Sequence, residues 1–390
     1  MSQVWGVFGS FSTFSRLTSA ANDDWVDRMS HIYSSVVLVL FAIVVTTGQL
    51  VGDPIHCWCP AQFTGAYVAY TKWICWISNT YYIPMSDTIP VNINEREDRQ
   101  LTYYQWVPLI LLFQALLFKA PNLLWRILHG TSGVNLDKLC ELAEKTQYGS
   151  PDDRKKTIEH IAYFMDRWLD SNRIYHCNFV VKTRQKFAKI CCCFCGKREG
   201  TYLSGLYLTI KVLYLVNIIG QFFMLNSFLS TDFGIYGFQV MQHFNEYGAF
   251  KESPLFPRVT LCDFSIRQMT NLQRFTVQCV LPINLFNEKI FIFLWFWFVF
   301  VAVLASANMI SWLYYMIYRR NNAAYVKKYL KLSATPLINN DKKQYRNFAD
   351  NYLRNDGVFV LRVIGKNSTD LVLTDLVKQL WKIFKEKPTS

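Results

Sequence analysis

The sequence lacks the short motifs by which common enzymes are recognised. Its 390 residues contain no GxxxxGKS/T phosphate loop, no GxGxxG dinucleotide loop, no HExxH zinc helix and no GxSxG nucleophile elbow. The six histidines, His31, His56, His129, His160, His176 and His243, are scattered and nominate no metal site. Nothing pairs a nucleophile with a base, so neither catalytic residues nor a cofactor nor a metal is expected. Charge is also missing where it matters most. Residues 33–50 and 290–318 contain no Asp, Glu, Lys or Arg at all. A bilayer core needs about 20 consecutive apolar residues in a helix, and uncharged runs of this kind exclude an ordinary globular enzyme.

What is present fits that exclusion. Apolar residues make up 52% of the chain and aromatics 16%, and they concentrate in four blocks, 33–50, 106–126, 203–226 and 290–318. Four blocks predict four spanning helices. Mean hydropathy is only +0.11, because about a quarter of the chain is expected in lipid and the rest in water. Residues 1–20 lack the basic start, apolar stretch and small-residue cleavage site of a signal peptide. The first span is therefore expected to act as an uncleaved targeting signal.

Four spans place both termini on one side, and the basic residues say which. Lys and Arg number two in segment 1–32, thirteen in loop 127–202 and fifteen in tail 319–390, against three in loop 51–105 and five in loop 227–289. The positive-inside rule puts the termini and the central loop in the cytoplasm. The net charge of +13 thereby acquires a location: attraction to anionic inner-leaflet lipid accounts for it, and no nucleic-acid partner is expected.

The eleven cysteines sort by side. Cys57, Cys59, Cys75, Cys262 and Cys279 fall in the outer loops, where disulfides form; Cys140, Cys177, Cys191, Cys192, Cys193 and Cys195 fall inside. Two bridges leave one outer cysteine over, and spacing alone does not choose it. The run Cys191–Cys195 matches zinc-ligand spacing poorly; juxtamembrane palmitoylation and simple reduced thiols are the other readings.

Elsewhere the pattern is helical. Trp5, Phe8 and Phe11 share a face, read either as a pore-lining segment or as an interfacial helix. Ser150-Pro151-Asp152-Asp153 reads as a helix start, followed by the stripe Ile158, Ile161, Met165 and Trp168. Tyr345, Phe348 and Tyr352 form another stripe that stops near Gly357. A short alternating stretch, Phe359–Val363, then precedes a last helix from Thr374. Lys119 and Lys211 lie within spans. An intramembrane charge is a functional candidate, but snorkelling to the inner headgroups is the favoured reading for both.

A resemblance extends this reading. Tyr103-Tyr104-Gln105-Trp106-Val107, at the start of the second span, looks like the YYQWV element of innexins, the invertebrate gap-junction proteins. Asp24-Trp25-Val26-Asp27-Arg28, Gly52-Asp53-Pro54-Ile55-His56-Cys57-Trp58, Pro60-Ala61-Gln62-Phe63, Phe118-Lys119-Ala120-Pro121, Cys279-Val280-Leu281-Pro282-Ile283-Asn284 and Asp356–Arg362 are similar to further family segments. Cys59 departs from the pattern, which has two cysteines in each outer loop. The resemblance implies an all-α membrane protein: a four-helix transmembrane bundle with disulfide-stapled extracellular loops and a mainly helical cytoplasmic domain. It implies a ring of identical or related subunits, octameric, around a central pore. In that reading 1–32 is the N-terminal pore segment, with Met1, Ser2, Gln3, Val4 and Trp5 at the constriction. Loops 51–105 and 227–289 face outward, while 127–202 and 319–390 are cytoplasmic and helical.

It also implies bridges Cys57–Cys279 and Cys75–Cys262, with Cys59 free. Further implied are a plasma-membrane, gap-junction location, lipid contact, and docking to a second hemichannel on the apposed cell. Ions and small metabolites would pass without chemistry. The alternatives are an undocked hemichannel of the pannexin type and a four-span scaffold. Neither outer loop has an N-x-S/T sequon, so no glycan would obstruct face-to-face docking.

Overall fold

Four helices are long and apolar enough to cross a membrane: Trp25–Leu50, Val107–Ser132, Tyr202–Leu229 and Pro282–Met316. They overrun the apolar blocks at most of their ends. The fourth, with 35 residues, spans about 52 Å at 1.5 Å per residue, well beyond a hydrocarbon core of about 30 Å. The computed structural model describes residues 23–171, 200–229, 233–247, 253, 255–317, 319–333 and 342–387. The chain divides into two units. One comprises Met1–Ile32, Lys119–Leu215 and Leu304–Ser390; the other Tyr33–Phe118 and Val216–Val303.

Within the second unit, both loops build one antiparallel sheet. Its strands are β1 (His56–Trp58), β2 (Thr80–Tyr81), β3 (Gln100–Leu101), β4 (Val259–Gln268) and β5 (Asn271–Val280), in the order β1-β5-β4-β2-β3. The long β4–β5 hairpin turns at Met269-Thr270, with Gln268 opposite Asn271 and Met269 at φ 55°. Thr260, Cys262 and Phe264 alternate as the buried face of β4. The sheet is absent from the sequence reading for two reasons. Three strands are only two or three residues long, and the hairpin turn lacks the Asn-Gly or Gly-first chemistry that announces one. Helices Gly65–Ile77 and Phe233–Tyr247 flank the strands in sequence. Gly237 sits so close to the Trp295 ring that a Cβ there would collide with it.

Proline shapes the second spanning helix. Pro121 lies inside it and offers no amide hydrogen to the carbonyl four residues back, that of Leu117. The Asn217 side chain of the third helix donates to the Leu117 oxygen at 3.1 Å. A lipid-buried carbonyl left without a donor would be costly, so Asn217 is the compensating group.

The first unit is helical around a large apolar core. Helix Pro151–Ser171 starts as its sequence predicts, with the Ser150 hydroxyl accepting from the Asp153 amide at 3.3 Å. Ile158, Ile161, Met165 and Trp168 all enter the core. Tyr345, Phe348 and Tyr352 do so as well, and Gly357 does not stop a helix. Phe359–Val363, read as an alternating stretch, lies in helix Arg354–Asn367, and the last helix begins at Asp370, not Thr374. The reason is burial on every side: Val358, Phe359, Val360, Leu361, Val363 and Ile364 are all buried. A helix surrounded by core shows no 3.6-residue stripe, and its β-branched residues then imitate a strand. Asp356, at the start of this helix, caps another. Its carboxylate accepts from the Ser204 amide at 3.0 Å and the Ser204 hydroxyl at 2.8 Å, in the first turn of Tyr202–Leu229.

Replacing Asn217 with Leu is expected to cost about 1–2 kcal/mol, the penalty of an unsatisfied buried carbonyl. In a Pro121→Ala background, where the backbone amide returns, the same replacement should cost clearly less. Thermal unfolding of the four proteins in detergent checks the cycle; equal costs in both backgrounds would refute the compensation.

Candidate functional site

The sheet carries the disulfides. Cys57 and Cys279 are paired neighbours on β1 and β5 and are bridged; Cys75, from helix Gly65–Ile77, is bridged to Cys262 on β4. Both bonds join the segment before the second spanning helix to the segment before the fourth. Cys59 is unbridged and half-buried, its thiol facing the Cys57 carbonyl at 3.7 Å. The sulfurs of Cys57, Cys75 and Cys279 lie within 4.8 Å of one another. All three are consumed in disulfides and offer no thiolate to a metal.

A charged clasp reinforces the bridges. Asp263 on β4 accepts from Arg96 at 2.7 Å, from the Tyr81 hydroxyl at 2.9 Å and from Arg274 at 3.2 Å. Burial pushes the Asp263 carboxyl up, but hydrogen bonds from Thr276, Arg96 and Tyr81 outweigh it and hold it below the usual carboxylate range. The Tyr81 phenol is pushed up to about 12 by burial and by Asp263. No sequence motif pointed to this clasp, because the partners of Asp263 lie 11, 167 and 182 residues from it.

The YYQWV element locks the same unit. Tyr103 and Tyr104 are buried, and Val107 is fully so. Tyr103 donates to the Leu255 carbonyl at 2.9 Å, the Gln105 amide donates to the Trp76 carbonyl, and the Tyr104 carbonyl accepts from Gln49 at 2.9 Å. Trp106 is exposed, as expected of an interfacial aromatic at the start of a span. At the hairpin tip Met269 is 99% exposed. An apolar tip of that kind is available to a partner.

The first unit holds a buried charge cluster. Lys211 does not snorkel: its side chain is 2% exposed and reaches Asp27 at 2.6 Å and Asp24 at 3.2 Å. Lys366, from helix Arg354–Asn367, adds a bond to Asp24 at 2.8 Å, and Trp312 and Tyr207 donate to the same carboxylate at 2.6 and 2.9 Å. Burial pushes the Asp24 carboxyl up, but Lys211 and Lys366 hold it well below the usual range. Asp23 bonds His31 at 2.9 Å and accepts from Asn122. In the sequence, Lys211 within a span and the Asp24–Arg28 segment stood out separately, and nothing there joined them. Lys119, by contrast, is half-buried. Cys140 is a core thiol, pushed up to about 12 by burial, and inert as a nucleophile. The constriction residues Met1–Trp5, and Cys177 with the Cys191–Cys195 run, lie outside the described residues.

Lys211→Met should destabilise the protein by about 3–5 kcal/mol, because it leaves buried Asp27 without its cation and Asp24 with Lys366 alone. Adding Asp27→Leu should recover part of the loss in a thermal-melt double-mutant cycle, whereas a snorkelling lysine would show no coupling. Non-reducing peptide mapping of the intact protein should return both disulfides with Cys59 alkylated; a bridge using Cys59 would contradict the assignment.

The family model described as Innexin matches residues 23–384. The chain is 38% identical to Innexin unc-9 of Caenorhabditis elegans over 361 residues, 92% of each chain. It is 34% identical to Innexin-3 of the same species, covering 92% of this chain and 83% of that one. With Innexin-19 of Caenorhabditis briggsae the identity is 33%, over 96% and 89%.

Proposed function

This chain belongs to the innexin family, and on that premise we propose that it is one subunit of a ring whose pore passes ions and small metabolites between adjacent cells. Family membership makes it a multi-pass membrane protein of the gap-junction channel class. Two such rings, one in each membrane, would dock through the sheet unit. The observation that carries the reading is the sheet itself: two loops from different parts of the chain form one five-stranded sheet, stapled twice. Docking rigid surfaces loses little conformational entropy on contact, which is what a seal between two cells requires.

The sidedness in this proposal follows the basic residues. Loop 127–202 has thirteen Lys and Arg against nine acids, and tail 319–390 fifteen against six; both would face the cytoplasm. Around a ring these charges repeat, and a narrowing vestibule focuses their field. Asp24, tied to Lys211 and Lys366, opposes that field less than a free carboxylate would. Residues 1–22 would enter the pore mouth, with Met1–Trp5 at its narrowest point. Transport would be passive, down existing gradients, with no catalytic step.

Expression in two adjoining cells that lack other channels should produce junctional current. Cys75→Ala should abolish that current before it abolishes ring assembly, because it frees one loop from the other. Uncoupled cells that nonetheless pass current to the bath would mark an undocked hemichannel; assembled rings that pass none in either arrangement would mark a scaffold.

A further inference from the structure

Beside the charge cluster, at the start of the first spanning helix, lies a half-open cavity of ≈ 330 Å³ lined by Asp23, Asp24, Arg28, Asn308, Lys366 and Asn367. Two of its donors are buried and unused. Neither the Arg28 Nε–H nor the Asn308 amide nitrogen has a hydrogen-bond partner among the described residues. Arg28 also has no carboxylate partner among them, because the nearby acids are already engaged. Asp23 is held by His31 and Asn122; Asp24 and Asp27 are held by Lys211, with Lys366, Trp312 and Tyr207 completing the set. Lys366 keeps 44% of its side chain exposed beyond its bonds to Asp24.

We infer that this cavity is a binding site for a phosphate-bearing anion. An unpartnered buried donor costs free energy until an acceptor arrives. Here a guanidinium, an amide and a partly free ammonium line one space, while the Asp23 and Asp24 carboxylates at its wall already accept from neighbours. A ligand rich in acceptor oxygens and carrying negative charge fits that inventory; an amine or a metal cation does not. Arginine's planar fork is suited to two oxygens of one phosphate, and the lysine supplies a point charge beside it. The position agrees. Trp25, the first residue of the span, is exposed beside the cavity, at the level where interfacial aromatics meet lipid headgroups. The phosphate could be supplied by a phospholipid headgroup or by a soluble phosphate ester, and the chemistry at the protein is the same for both.

The test reads binding alone and does not depend on the channel reading. Full-length protein, stripped of lipid in detergent, is titrated with dioleoyl phosphatidic acid, with diacylglycerol of the same chains, and with glycerol 3-phosphate, and bound species are counted by native mass spectrometry. Phosphatidic acid should bind more tightly than diacylglycerol, and Arg28→Gln and Asn308→Leu should each weaken it about tenfold, the worth of one charge-assisted hydrogen bond. Arg28→Lys keeps the charge and loses the fork; it should fall between wild type and Arg28→Gln, and it serves if Arg28→Gln fails to fold. Saturable glycerol 3-phosphate binding that displaces the lipid assigns the site to soluble esters; its failure to compete assigns it to the headgroup. Equal retention of phosphatidic acid by wild type and folded variants, or equal binding of diacylglycerol, would overturn the inference.

Discussion

A buried lysine between two aspartates organises the helical unit. Lys211 sits on the third spanning helix, Asp24 and Asp27 at the start of the first, Lys366 on helix Arg354–Asn367 and Trp312 on the fourth spanning helix. Removing these charges from water is so unfavourable that each must find its counterpart in a single arrangement. The cluster links these four helices through charge-assisted bonds. Aromatic rings surround it: Tyr207 packs edge-on against Trp125 and Trp312, and Phe359 touches both Tyr207 and Trp312. They exclude water and strengthen the ion pairs by lowering the local dielectric.

The sheet unit solves a different problem by covalent means. Its bridges join residues 222 and 187 positions apart. In a freely unfolding chain, closing loops of that length would be worth about 5 kcal/mol each. Spanning helices already hold the loop ends near one another, so less entropy remains to be removed. The larger effect is positional. Cys57–Cys279 pins β1 to β5 in register, Cys75–Cys262 pins a helix to β4, and the Asp263 clasp adds a directional link between the two loops. Such a unit keeps its shape while meeting another surface.

The same logic of satisfied polar groups recurs along the spans. Asn217 serves the carbonyl that Pro121 leaves behind, and Asp356 serves the orphan amide at the start of the third helix. Each compensating residue is remote in sequence from the defect it repairs.

The residue pattern alone reveals the number of spanning helices, because a bilayer demands long, predominantly apolar runs and those are visible without a structure. It determined the helix from Pro151 through its capping residues, and the core stripes Ile158–Trp168 and Tyr345–Tyr352 through their period. The order of family motifs along the chain was equally legible. Tertiary structure alone decided what depends on distant residues meeting. Lys211 could have snorkelled until two aspartates nearly two hundred residues away were seen beside it. Phe359–Val363 looked strand-like until its burial on every side was known. The five-stranded sheet exists only in the folded chain, where β1 and β2, too short to announce themselves, pair with the long hairpin and β3 pairs with β2. Local patterning encodes the period of an element and the solvent it faces, whereas charge partners and strand neighbours are properties of the folded chain.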